Sequence, residues 1–263
     1  MRIATWNVNS LKARLSRVEE FLGYSEVDVL CLQETKLSDK AFPALTFSAL
    51  GYESVHNGQG QWNGVAILSR VGIANVTNGF DDAHPDPYEG DARVIAADCG
   101  GIRVVSVYVP NGREVGTDFY DRKLVWLQTL HEWLAANNSP DDPLVVLGDF
   151  NVAPEDRDVW DPKKFVGATH VTPSERDAVV QLEKWGMEDA FRHVYPDTDG
   201  LYSYWDYRAG DFHQHRGMRI DLVLATRPLA DRVTWAVVDR NARKGKQPSD
   251  HTPVIVDVRD RSR

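Results

Sequence analysis

The feature that most constrains the fold is a series of short apolar runs, each separated from the next by polar or glycine-containing segments. Runs of this length and composition are typical of buried β-strands. Helices are predicted between them over residues 10–22, 119–136 and 174–185. Because strands flank each helix, the order predicts an α/β sandwich rather than a helical bundle. The predicted strands cover residues 3–6, 29–32, 65–68, 94–97, 104–109, 144–147, 222–224, 233–238 and 253–258.

The length and the apolar content together predict one domain over residues 1–263. Layered folds of this size are common as single units, and 42% hydrophobic residues suffice for a sizeable core. The N-terminus lacks the pattern of a secretion signal, and no run of about 18 apolar residues occurs. We therefore expect a cytoplasmic protein without a membrane partner. Cys31 and Cys99 lie inside apolar runs, without metal-type spacing, which favours buried free thiols over a disulfide.

The net charge of -9 is unusual for a protein that binds nucleic acid, because Lys and Arg side chains normally neutralise the phosphates. A carboxylate-rich metal centre adds negative charge by itself, so the distribution of the cations matters more than their sum. Two readings stay open for the clustered cations: contacts with nucleic acid, or solvated loop charges. The clusters are Arg240, Arg243, Lys244 and Lys246, and Arg208, Arg216 and Arg219.

Two polar side chains follow the first two predicted strands. Asn7 ends the first strand just before the first helix, where it serves either the site or the cap of that helix. Glu34 ends the second strand and so lies at the rim of the sheet. A rim carboxylate can hold Mg²⁺, which prefers oxygen ligands and uses only one or two carboxylates. The alternative for Glu34 is a salt bridge on the surface.

The segment around Asp149 carries a sharper signal. A buried strand runs into Gly148, whose lack of a side chain permits close backbone approach, and then places Asp149 and Asn151 two residues apart on one side of an extended backbone. A carboxylate beside an amide can orient a water molecule and accept its proton. The alternative is an Asx-turn at the end of the strand.

A histidine opens the last predicted strand. His251 needs a further group to fix its tautomer and its charge, and either Asp221 or Asp250 can supply it. A protonated His251 can bind a phosphoryl oxygen on which negative charge develops.

Two further motifs offer contacts with phosphate and sugar. Tyr108 and Asn111 follow the long central strand, and both side chains can hydrogen-bond to phosphate. Residues 202–207 contain four aromatic side chains beside Arg208. Stacking on exposed sugars or bases is one reading of this loop, and buried aromatic packing is the other.

Taken in order, these motifs resemble the exonuclease III family within the endonuclease/exonuclease/phosphatase superfamily. The resemblance covers essentially the whole chain, and the order and spacing of the motifs are specific for the family. It implies a four-layer α/β sandwich, with two packed mixed β-sheets flanked by helices and one metal-dependent site at the sheet ends. The motifs are Asn7, Leu32-Gln33-Glu34-Thr35-Lys36, Tyr108-Val109-Pro110-Asn111-Gly112, Gly148-Asp149-Phe150-Asn151, Tyr202-Ser203-Tyr204-Trp205-Asp206-Tyr207-Arg208, Arg219-Ile220-Asp221 and Ser249-Asp250-His251.

The resemblance also implies a role for each residue. Glu34 is similar to the principal ligand of Mg²⁺, with Mn²⁺ as an alternative ion, and Asp250 is expected near the metal. Asp149 resembles the group that positions and deprotonates the attacking water. The remaining implied roles are Asn7 and Asn151 assisting the water, His251 with Asp221 polarising the phosphate, Tyr108 and Asn111 contacting it, and Tyr204, Arg208, Arg243 and Lys244 binding the substrate.

The activity implied by the resemblance is hydrolysis of phosphodiester bonds 5′ to abasic sites, with removal of nucleotides or blocking groups from 3′ ends of duplex DNA. We expect the enzyme to act as a monomer. One departure concerns Tyr204, because bacterial members of the family carry Trp there, in the loop over the abasic sugar. Two alternatives are a phosphoesterase acting on inositol phosphates or sphingomyelin, and a binding module without catalysis. The aromatic loop and the basic run argue against the first, and the unbroken motifs argue against the second.

Overall fold

A computed structural model describes residues 1–259. The last four residues of the predicted domain, 260–263, lie outside this range, and the one-domain assignment stays a prediction. The strands are β1 Arg2–Asn7, β2 Val29–Gln33, β3 Glu53–Asn57, β4 Val65–Ser69, β5 Ala74–Asn78, β6 Val94–Cys99, β7 Ile102–Tyr108, β8 Leu144–Asp149, β9 Met187–Asp189, β10 Asp221–Thr226, β11 Val233–Val238 and β12 Val254–Val258. The α-helices are α1 Leu11–Ser25, α2 Ala44–Ala49, α3 Asp118–Asn137, α4 Pro173–Trp185, α5 Ala190–Val194, α6 Asp211–Gln214 and α7 Arg227–Ala230.

The strands form two six-stranded mixed sheets, in the orders β11-β12-β1-β2-β4-β3 and β5-β6-β7-β8-β10-β9. All nine predicted strands and all three predicted helices are present. The three strands that the prediction missed, β3, β5 and β9, are all edge strands. The first two of them are partly or largely exposed and polar, so they lack the apolar runs that reveal a central strand.

The two sheets pack face to face, with helices on their outer faces. Inner-face residues such as Ile3 and Val104 share one core. On the outer face of the first sheet, Phe21 of α1 packs with Leu30, and on that of the second, Trp126 of α3 packs with Val146. Because both faces of each sheet are covered, the central strands are apolar throughout. The predicted four-layer sandwich is confirmed.

This topology gathers the chemically important residues at one edge of the sandwich. β1 and β2 are parallel, as are β7 and β8, so each pair ends on the same side, with Tyr108 opposite Asp149. β10 is antiparallel to β8, and its first residue, Asp221, pairs with Asp149. β12 is antiparallel to β1, so His251, shortly before it, arrives at the same end.

Three smaller expectations are also tested by the fold. Cys31 and Cys99 are buried free thiols, as predicted. Gly148 has φ +152°, and a Cβ there would lie 1.9 Å from the carbonyl oxygen of Val107, which confirms that close backbone approach requires glycine. Within residues 1–259, no helix combines the length and the apolar character that a bilayer crossing requires.

Candidate active site

The side-chain amide of Asn7 joins the two principal carboxylates of the site. Its Nδ2 donates to Glu34 Oε1 at 2.8 Å and to Asp149 Oδ2 at 2.9 Å. Its Oδ1 accepts from the backbone N–H of Asn9 at 2.9 Å. The helix-capping alternative is not observed, since Ser10 takes the cap position of α1, without a side-chain bond. Asn7 therefore belongs to the site.

Glu34 is held by three groups. Its Oε2 lies 2.9 Å from Lys36 Nζ, its other oxygen accepts from Asn7, and the hydroxyl of Tyr108 donates to the carboxylate. Burial favours the neutral acid, but the charge of Lys36 and the amide of Asn7 outweigh it and lower the pKa of Glu34. Burial and the negative charge of Glu34 raise the pKa of Tyr108, so the phenol keeps its proton and remains a donor.

His251 lies between two carboxylates. Its Nδ1 donates to Asp221 Oδ2 at 2.8 Å, and its Nε2 lies 3.7 Å from Asp149 Oδ2. Asp221 is thus the group that orients His251. The other candidate, Asp250, instead accepts from Asn9 Nδ2 at 3.1 Å. Burial opposes the charge of His251, but Asp221 and Asp149 outweigh it and raise its pKa to about 10. The imidazole is therefore a charged donor at neutral pH.

Asp149 is buried and surrounded by charge. Burial, together with the negative charges of Asp221 and Glu34, raises its pKa to about 7, against the opposing effect of His251. A carboxyl group that titrates near neutral pH is suited to accept a proton from water. Asp149 Oδ1 also accepts from the backbone N–H of Asn151 at 2.9 Å, which forms the Asx-turn considered above.

The prediction of an extended backbone from Asp149 to Asn151 is wrong, because Asn151 has φ +50°. The chain therefore turns at Asn151 and does not continue in the direction of β8. Asn151 Oδ1 accepts from Asn111 Nδ2 at 3.2 Å, so the two amides meet beside Asp149. Asn111 and Asn151 therefore lie side by side, although the local conformation differs from the predicted one.

Three residues next to the site were not predicted as site residues: Asn9, Lys123 and His170. Asn9 accepts from Lys36 and donates to Asp250, so it connects the two predicted metal ligands. The other two, Lys123 and His170, contact the backbone of Asn151. A signal for Lys123 was present in the sequence, because it shares the apolar stripe of α3 with Leu127, Leu130 and Leu134.

Two of the clustered arginines have structural roles. Arg219 is 2% exposed, and its guanidinium pairs with Asp158 and Asp189. Arg243, predicted to bind the substrate, is 7% exposed, and it donates to the carbonyl of Ser249 at 2.6 Å. Arg243 thus differs from the expected solvent-facing cation, since its guanidinium is used inside the protein.

The remaining predicted contacts are accessible to different degrees. Lys244 is exposed, and the Arg208 side chain is 87% exposed while pairing with Asp206. Tyr204 is half-buried, with its ring centroid 4.9 Å from that of His251. Trp205 is fully buried. The aromatic loop thus combines both readings, because it packs into the core at Trp205 and reaches the site at Tyr204.

The donor set of the site fits a divalent metal ion. Ligand atoms of Asp149, Asp221 and His251 all lie within 4.8 Å of one another. Asp221 Oδ1 is buried and has no hydrogen-bond partner in the part of the chain that the structure describes. With His251 protonated, oxygen atoms dominate the site, as a hard cation requires. The predicted ligand Glu34 joins this group through Asn7, whereas Asp250 is bonded to Asn9 and to the hydroxyl of Ser249. Their roles as ligands stay predictions.

Comparisons with known proteins agree with this arrangement. The sequence matches the Endonuclease/Exonuclease/phosphatase family over residues 4–251. It is 31% identical to the exodeoxyribonuclease III of Haemophilus influenzae, over 97% of this chain and 98% of that protein. Among solved structures, a 3′ phosphatase from Neisseria bound to a product DNA hairpin has a TM-score of 0.93 at 36% identity, covering 99% of this chain and all of that one. An AP endonuclease from Archaeoglobus fulgidus has a TM-score of 0.94 at 35% identity, with the same coverage.

Proposed function

Because this chain belongs to the exonuclease III family, within the endonuclease/exonuclease/phosphatase group, we propose that it is a metal-dependent DNA-repair nuclease. It hydrolyses phosphodiester bonds 5′ to abasic sites and removes nucleotides or blocking groups from 3′ ends of duplex DNA. The observation that carries the proposal is the convergence on Asp149. One amide binds it together with Glu34, and a charged imidazole faces it from the other side.

The proposed reaction is an in-line attack of water on phosphorus, which breaks the bond from phosphorus to the 3′ oxygen. This oxygen leaves and takes up a proton from solvent, so the products are a 3′-hydroxyl and a 5′-phosphate. Asp149 orients the water and accepts its proton, with Asn7 and Asn151 fixing the geometry. His251, held by Asp221, donates to a phosphoryl oxygen as negative charge develops there. Tyr108 and Asn111 contact the same phosphate.

The metal ion that we propose for this site is Mg²⁺, with Mn²⁺ as the alternative. Glu34 would be its principal ligand, and Asp250 would lie near it. A bound divalent cation supplies positive charge that stabilises the transferring phosphoryl group. Since Lys36 Nζ lies 2.9 Å from Glu34 Oε2, a cation bound by Glu34 would share this carboxylate with an ammonium group.

The proposal assigns DNA contacts to exposed or half-exposed side chains around the site. These are Asn111, Tyr204, Arg208 and Lys244. Lys and Arg at such positions neutralise backbone phosphates, and Tyr204 beside His251 can pack against the sugar. The monomeric state and the cytoplasmic location stay predictions, which mass measurement in solution and cell fractionation test.

The test is a panel of substrates for the purified protein, with and without EDTA. The substrates are a duplex with one abasic site, a duplex with a 3′ phosphate, a plain recessed duplex and an inositol phosphate. We expect EDTA-sensitive hydrolysis of the DNA substrates only. Hydrolysis of the inositol phosphate alone would assign the chain to a different branch of the group, and hydrolysis of none of them would leave the binding-module alternative.

The variant Asp149→Asn tests the central residue of the site. It removes the base and its charge but little volume, so we expect turnover to fall at least about 1000-fold while DNA affinity is retained. Asp141→Asn is the matched control, because this exposed residue lies just before the opposite end of β8. Near-normal turnover by Asp149→Asn would refute the role of Asp149.

A further inference from the structure

We propose that a buried ion pair beneath the site, Lys123 with Glu175, positions the backbone of Asn111 and Asn151 for catalysis. This inference rests on the proposed function, because that function makes these two amides part of the reaction. Lys123 lies in α3 and Glu175 in α4, and both side chains are 0% exposed. Since neither side chain is exposed to a bound substrate, each acts as a positioning residue.

Each of the three N–H donors of the Lys123 ammonium group has a partner. Its Nζ lies 2.5 Å from Glu175 Oε1 and donates to the carbonyl oxygens of Asn151 at 2.7 Å and Asn111 at 3.3 Å. An ammonium group has three donors, and these three partners match them. The two loops that carry Asn111 and Asn151 are thereby tied to one buried point.

The ammonium group explains why both loops turn as they do. Each carbonyl points inward to Lys123. Asn151 adopts φ +50°, a left-handed conformation that Asn tolerates, and Lys123 binds the carbonyl that this conformation turns inward. At Gly112, φ is +80°, and a Cβ would lie 2.8 Å from Lys123 Cδ. The lysine chain therefore packs directly against the turn that carries Asn111.

This backbone arrangement sets the directions of the two side chains. Asn151 Nδ2 donates to the carbonyl of Val109 at 2.9 Å, and Asn151 Oδ1 accepts from Asn111 Nδ2 at 3.2 Å. The backbone N–H of Asn151 donates to Asp149 Oδ1. A shift of the Asn151 carbonyl would thus displace both amides relative to Asp149.

Glu175 fixes the third segment around this point. Its carboxylate accepts from Thr169 Oγ1 at 2.8 Å, from the backbone N–H of His170 at 2.9 Å and from Thr172 Oγ1 at 2.7 Å. His170 Nδ1 in turn donates to the carbonyl of Asn151 at 2.6 Å. The ion pair therefore joins residues 111, 151 and 169–172 in one buried network.

A purely structural ion pair would contribute to folding without directing the amides, and a double variant separates these roles. Removal of one partner alone leaves a buried charge and can prevent folding, whereas replacement of both by apolar residues is often neutral for stability. We therefore compare Lys123→Met with Lys123→Met/Glu175→Leu. The matched control is Leu130→Ala, which creates a cavity in the same helix, away from the site.

We expect the folded double variant to lose about 100-fold in kcat, because small displacements of positioning groups have effects of this size. KM for DNA should stay within about threefold, since little ground-state binding is removed. Leu130→Ala should lower the unfolding midpoint but keep kcat. Wild-type kcat in the folded double variant would overturn the inference.

A double-mutant cycle tests whether Lys123 acts through Asn151. In an Asn151→Ala background, Lys123→Met/Glu175→Leu should lower kcat by less than about fivefold, because the group that it positions is gone. A full 100-fold loss in both backgrounds would contradict the inference. If the wild-type protein cleaves no DNA, the proposed function fails separately. NMR shifts of the side-chain amides of Asn111 and Asn151 in the double variant then test the positioning, and unchanged shifts overturn it.

Discussion

Two histidines flank this site, and their surroundings make one of them a cation and leave the other neutral. His251 faces the carboxylates of Asp221 and Asp149, which outweigh burial and raise its pKa to about 10. For His170, burial and the nearby ammonium group of Lys123 lower the pKa to about 4. The same side chain is thus a cation on the carboxylate side of the site and a neutral ring on the lysine side. The charges of the neighbours decide the protonation state.

The neutral state of His170 also fixes its tautomer. The carbonyl of Asn151 can only accept, so His170 Nδ1 carries the proton in their 2.6 Å hydrogen bond. Its Nε2 is then left as an acceptor, 3.5 Å from Asn111 Nδ2. His170 can therefore orient an amide, whereas only His251 can place positive charge on a phosphate.

Among the variants that test this contrast, the largest effect should follow from removal of the charged ring, in His251→Asn. We expect kcat to fall by about 100- to 1000-fold, as when one preorganised donor to a developing oxyanion is lost. The measurement is the single-turnover rate at saturating DNA and metal, with circular dichroism as the check on folding. His213→Asn, at an exposed histidine, is the control. If His251→Asn keeps more than a tenth of the wild-type rate, the positive charge of His251 does not contribute to catalysis as proposed.

A smaller effect is expected from Glu34→Ala, which removes negative charge from the carboxylate side. The concentration of Mg²⁺ that gives half-maximal rate should rise at least about tenfold. Part of the rate should return at high metal concentration, because Asp149 and Asp221 remain. Glu53→Ala, in an exposed position on edge strand β3, is the matched control. An unchanged metal titration would remove Glu34 from the list of ligands.

The residues on the carboxylate side could be predicted from the sequence as members of the site. For Lys123 and His170, on the lysine side, membership of the site could not be predicted. Glu34, Asp149 and His251 each stand where an apolar run ends or begins, and sheet topology brings such ends together. Lys123 comes from the buried face of a helix, and His170 from an irregular segment where φ is +78°. No strand end marks either residue, so only the fold brings them to the site.

For two arginines the sequence predicted an exposed side chain, whereas the structure buries it. Arg219 and Arg243 were grouped with exposed cations because they are close to them in the sequence, but a run of charged residues does not show which of its members are buried. The partner of Arg219, Asp158, is 61 residues away along the chain, and only tertiary packing brings the two together. Lys244, one residue beyond Arg243, is exposed as expected.

The smallest effect on turnover is expected for His170→Asn, and its signature lies in stability. Asn can donate to the carbonyl of Asn151 as the ring does and tolerates a positive φ, so kcat should fall less than about fivefold. The folded pKa of about 4 lies below the ordinary value of 6.5. Between these two pH values the unfolded chain binds a proton that the folded protein does not, so stability is complete above about pH 6.5 and falls toward pH 4.

Allowing for the partial exposure of the ring, this coupling is worth about 2 kcal/mol. Urea unfolding of the wild-type protein and of His170→Asn, at pH 7 and at pH 4.5, measures it directly. The wild-type protein should lose more free energy of unfolding than the variant over this interval, because the other titrating groups are common to both. The exposed His213→Asn variant should behave as the wild-type protein does. Equal losses in the wild-type protein and in His170→Asn would mean that His170 titrates in the folded protein as it does in the unfolded chain, and the two rings would then differ only in their partners, not in their charge.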